Sequence, residues 1–128
     1  MGRLAKILSL SFGALLSMGG LLWAASPLRP IMRGWKSDLV ELDRMITYNQ
    51  SFNAQDAQRL LAGFATDSQS LSKRINGAAA SAKDLRARFD AFAKQSSAMA
   101  ALTGRDALEA RYVNLRGACK ECHDVYAN

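Results

Sequence analysis

The chain has 128 residues, with 17 Lys and Arg against 11 Asp and Glu, two Cys and a single His, for a formal net charge of +6. That length holds one domain. Two of the positive charges, Arg3 and Lys6, stand in an N-terminal stretch without acids, so the remainder carries +4, too small an excess, and too free of interleaved aromatics, for a nucleic-acid binder. Two Cys and one His also fall short of the four ligands of a structural zinc site.

Residues 1–25 have the form of a targeting segment: Arg3 and Lys6 make a positive start, and the nineteen residues 7–25 carry no charge. Cleavage after Ala25 puts Trp23 where a small residue is wanted, and Ser17-Met18-Gly19 offers a second site. Nineteen uncharged residues are also long enough to span a bilayer. The expectation is therefore a signal peptide, cleaved or retained as an anchor, with residues 26–128 as a domain delivered outside the cytoplasm.

Ser26 as N-cap and Pro27 at the first helical position open the first predicted helix. Pro30 still falls among the N–H groups that lack an intrahelical partner, so it does not break the helix. Leu28, Met32, Trp35, Leu39, Leu42 and Ile46 recur at alternating spacings of four and three, an apolar stripe of helical period. Arg33, Lys36, Glu41 and Arg44 occupy the opposite face. Residues 48–53 read as a turn, with Asn53 as the next N-cap.

The second helix is expected over residues 54–75, with Ala57, Leu60, Leu61, Phe64, Leu71 and Ile75 inward and a polar middle at Thr66, Asp67 and Ser68. Asn76-Gly77 is a stop signal, and residues 78–81 connect to a third helix over 82–102 that buries Leu85, Phe89, Phe92 and Met99. Met45 is assigned to the core as well. Thr103-Gly104 ends the third helix. The fourth, residues 105–126, shows Leu108, Tyr112, Leu115, Cys119, Cys122 and Tyr126 in the same four-three alternation. Four amphipathic helices with short connections predict an all-α fold, an antiparallel up-down-up-down four-helix bundle.

Both cysteines and the sole histidine fall in one pentapeptide of that last helix, Cys119-Lys120-Glu121-Cys122-His123. C-x-x-C-H is the attachment signature of haem c. Two thiols three residues apart can bond to the two vinyl groups of one porphyrin edge, and the imidazole that follows reaches the iron. Residues three and four apart share a helix face, so the three side chains act from one side. A disulfide or thioredoxin-like pair would call for a strand before the motif, whereas residues 106–118 read as helix. With both cysteines on the core stripe, the haem is expected inside the bundle.

Taken together these residues resemble the class II c-type cytochromes, the cytochrome c-prime family. Asp124 and Tyr126 match the acidic residue and the aromatic that follow the family's motif, and Phe52-Asn53-Ala54-Gln55 matches the turn that opens its second helix. The likeness runs from about Leu28 to Tyr126. It implies one covalent haem c, with Cys119 and Cys122 as thioether anchors and His123 as proximal iron ligand. The shared register sets Met32 at the position facing the distal side of the haem. Periodicity alone makes Met32 a core residue; the low-spin branch of the family makes it the sixth ligand, and the high-spin branch leaves the iron five-coordinate.

The function implied is a periplasmic monohaem electron carrier, not an enzyme, exchanging electrons with unidentified redox proteins. It would meet a membrane only through a retained leader, which would make it a tethered subunit of a larger redox complex, and would be a monomer or a homodimer. The alternative is a five-coordinate haem protein that binds nitric oxide or carbon monoxide, with Met32 only packing.

Overall fold

A computed structural model describes residues 28–127; the stretch expected to be a targeting segment, and the helix start expected at Ser26 and Pro27, lie outside the described residues. The chain divides into two compact units, Met1–Met32 and Arg33–Asn128. Of the first, only residues 28–32 are described, the opening turn of α1, where Leu28 is buried and Ile31 and Met32 are half-buried.

Four α-helices and no strands make up the described residues: α1 (Leu28–Leu42), α2 (Ala54–Arg74), α3 (Ala80–Ala100) and α4 (Arg105–Tyr126). Their order and short connections are compatible with a four-helix bundle. No described helix is long and apolar enough to cross a membrane. The expected bounds of α2, α3 and α4 hold to within two residues, because the end signals act locally, whereas α1 ends at Leu42, five residues short of the expected turn. Asn53 caps α2 through its Oδ1, which accepts the Asp56 amide at 3.0 Å, satisfying one of the first-turn N–H groups. After α2, Ile75 turns extended and Gly77 adopts φ +117°, a conformation that costs a residue without Cβ nothing. Helix α3 starts at Ala80, two residues earlier than expected, with Ala79 as an N-cap that makes no side-chain bond.

One element was not expected. From Asp43 to Thr47 the chain is π-helical: the Tyr48 amide donates to the Asp43 carbonyl at 3.0 Å, five residues back. The wider turn keeps Leu42, Met45 and Ile46 wholly inside and leaves the Ile46 carbonyl to an outside donor, the Arg105 Nε at 2.9 Å. It thereby fastens the end of the first helical segment to the start of α4.

The core of Arg33–Asn128 is aromatic at its centre. Trp35 stacks on Phe92 (centroids 5.1 Å apart, planes at 25°) and meets Phe64 edge-on at 5.2 Å. Phe89 and Phe64 complete the cluster around them. The indole N–H, which needs a partner when buried, donates to Asp67 Oδ2 at 3.0 Å, so the polar middle of α2 answers Trp35. Ser68 and Ser96 are fully buried, and their hydroxyls have no partner among the described residues. Leu39, expected on the inner stripe, is only half-buried.

Candidate functional site

Burial along the inner stripe of α4 is uneven. Leu108 and Leu115 are fully buried and Tyr112 nearly so. One turn on, Cys119 and Cys122 are half-buried and His123 is exposed. The two thiols therefore stand where the helix's apolar stripe loses its full cover, rather than deep in the core.

Both sulfurs are free thiols. Burial pushes the Cys119 thiol up to about 11, against the pull of the nearby Arg116 guanidinium. Burial also raises Cys122, with Arg88 opposing and Asp84 adding to the rise. Each sulfur is thus held as thiol rather than thiolate at neutral pH. No group of three or more His, Cys, Asp or Glu among the described residues is arranged to hold a metal ion by itself.

Two tyrosines on the stripe, at 112 and 126, flank the motif, and each anchors α4 to a different neighbour. The Tyr112 hydroxyl donates to the Asp43 carboxylate and lies 3.4 Å from the Leu39 carbonyl. Burial and that carboxylate both raise the phenol well above its ordinary value. Arg116 Nη2 stands 3.7 Å from Asp43 Oδ2, so the π-helical segment, Tyr112 and Arg116 form one polar contact a turn before Cys119.

The second anchor lies beyond Cys122. Tyr126 donates to Asp84 on α3 and lies 3.2 Å from the Ser81 carbonyl. Arg88 Nε binds Asp84 Oδ2 at 2.8 Å, and its guanidinium sits 5.9 Å from the Tyr126 ring centroid, within cation–π range. The Arg88 and Tyr126 bonds hold the Asp84 carboxyl below its usual value.

The structure therefore brings Cys119, Cys122 and His123 together at one end of α4 and surrounds them with Arg116, Asp43, Asp84, Arg88 and Tyr126. Met32 is half-buried in the opening of α1. The surrounding polar groups escaped the sequence reading in part. Asp84 and Arg88 have the i, i+4 spacing of a helical ion pair, and a buried tyrosine calls for a partner. Neither signal says that Tyr126 meets Asp84, 42 residues away.

No protein-family model, curated protein or solved structure matches this chain.

Proposed function

We propose that this chain is an exported monohaem c-type cytochrome of the class II kind, an antiparallel bundle whose last helix holds haem c, and that it carries electrons rather than catalysing a reaction. One observation carries the reading: two free thiols three residues apart on one half-covered face of α4, followed at once by the chain's only imidazole. That donor set fits haem c and falls short of a zinc site. When bound, the haem supplies reversible one-electron chemistry at its iron.

In this reading Cys119 and Cys122 tether the group through thioethers, and the exposed His123 supplies the proximal nitrogen. The anchors at Tyr112–Asp43 and Tyr126–Asp84 hold the segment that bears these three side chains from both sides. Met32 supplies the distal thioether, a soft donor that favours ferrous iron and raises the reduction potential. With His123 and Met32 both committed to the iron, these two side chains would leave it no place for a substrate. Its partners are redox proteins outside the cytoplasm, where a thioether bond also removes two thiols from oxidation.

The test is the absorption spectrum of protein expressed with haem-attachment machinery, oxidised and reduced, with and without carbon monoxide. We expect covalent haem, low-spin bands and no response to the gas, and conversion to high-spin in Met32→Leu. High-spin bands that shift with carbon monoxide in the unaltered protein would make Met32 a packing residue and the protein a gas binder. Absence of covalent haem would overturn both.

A further inference from the structure

The excess positive charge of the described chain is not spread over it. Residues 73–88 hold five basic side chains (Lys73, Arg74, Lys83, Arg86 and Arg88) and one acid, Asp84; the other described residues hold ten basic and ten acidic. The net charge thus gathers at the end of α2, the start of α3 and the turn between them. Within that stretch Asp84 is engaged by Arg88 and Tyr126. Arg86 is spent internally, Nη1 donating to the Ile75 carbonyl at 2.9 Å and Nη2 to that of Gly77 at 3.0 Å. Lys73, Arg74 and Lys83 are exposed and make no ion pair or side-chain hydrogen bond among the described residues.

This basic turn adjoins the cysteine motif. Tyr126, four residues past Cys122, reaches Ser81 and Asp84 in the first turns of α3, and the Arg88 charge acts on the Cys122 thiol. Between the cations the surface is made of small side chains, Asn76, Gly77, Ala78, Ala79, Ala80 and Ser81, all exposed. Small residues let another surface approach closely. They also include none of the Trp, Phe or Leu that an interfacial membrane segment inserts.

We propose that this turn is the docking surface for the acidic face of an electron-exchange partner protein, with Lys73, Arg74 and Lys83 as the steering charges. The proposal rests on the haem reading above and extends it to the place of contact. Electrostatic steering of this kind raises association rates and fades with added salt.

The test compares two double variants with the same change in net charge: Lys73→Glu/Lys83→Glu in the turn, and Lys36→Glu/Lys94→Glu outside it. Lys94 lies about 16 Å farther along α3 than Lys83 at the ordinary helical rise. All four side chains are exposed, and none belongs to the two anchors. The probes are hexacyanoferrate(III), an anion, and tris(phenanthroline)cobalt(III), a cation; each accepts one electron from the ferrous haem, leaving ferric haem and the reduced complex.

At low ionic strength the turn variant should lose on the order of tenfold in its rate with the anion, several times more than the control variant, and should gain rate with the cation. The difference should vanish at high salt. Equal slowing of both variants, with covalent haem intact, overturns the docking surface and leaves the haem reading standing. Binding to phosphatidylglycerol vesicles that only the turn variant loses, with equal probe rates, assigns the patch to lipid and overturns the proposal. Failure to acquire covalent haem overturns it together with the reading beneath it.

Discussion

Asp38 is a carboxylate placed against its own interest. Burial raises its protonation range, and the neighbouring Asp67 adds to the rise while Arg59 opposes it. A carboxyl raised in the fold contributes its full stability below its ordinary value of 3.8 and loses it as pH climbs through the higher folded one. Asp38→Asn should therefore raise the melting temperature slightly at pH 7 and leave it unchanged near pH 3, as thermal melts at the two pH values would show. Asp84 has the opposite sign: held low by Arg88 and Tyr126, it stabilises above the ordinary carboxylate range and loses that contribution as pH falls through its lowered value. Tyr126→Phe removes one of those bonds. Amide exchange in the last turn of α4 should speed up several-fold at neutral pH, and the difference from the unaltered protein should shrink as Asp84 protonates.

The helices were legible because their signals are local. Asn53 accepts an amide three residues on, a cap worth about 1 kcal/mol, and Gly77 takes the positive φ that ends α2 cleanly. The π-helical segment was not legible. Leu42, Met45 and Ile46 stand at i, i+3 and i+4, the spacing that an ordinary α-turn buries too, so no pattern marked the extra residue. What favours it is remote: Arg105 takes up the Ile46 carbonyl from 59 residues away, and Tyr112 binds Asp43 from 69. The turn that follows is tightly specified, with Asn49 and Ser51 both at positive φ, a region that Asn enters readily and Ser less so.

The protein's stability centres on the cluster that joins three helices. Phe64 is almost fully buried and touches both Trp35 and Phe92. Phe64→Ala should cost about 3–5 kcal/mol, measured by denaturant unfolding, because the rings around it come from separate helices and cannot close the void together. The core list was readable from the helical period, since Phe64, Phe89, Phe92, Leu108 and Leu115 all fall on inner faces. The site was readable only as a motif. Its five residues are contiguous in the chain, so the pattern names them. The weakening of burial after Leu115 and the two tyrosine anchors depend on where the helices end against one another, which no single-helix period contains.

A π-turn spends one residue more than an α-turn to cover the same climb, so the segment at Asp43–Thr47 absorbs an extra residue and keeps the chain before it in phase with the chain after it. Loss of a single residue there, with a return to ordinary α-winding, would keep Trp35 in phase with the chain that follows. The indole would stay against Phe64, Phe92 and Asp67, and the loss would fall on the contacts of the wider turn itself, Arg105 with the Ile46 carbonyl and Tyr112 with Asp43. Chain length in this short stretch is thus set by its fastening to α4 rather than by the aromatic core: a one-residue deletion keeps the helix in phase and loosens the hold of Arg105 and Tyr112.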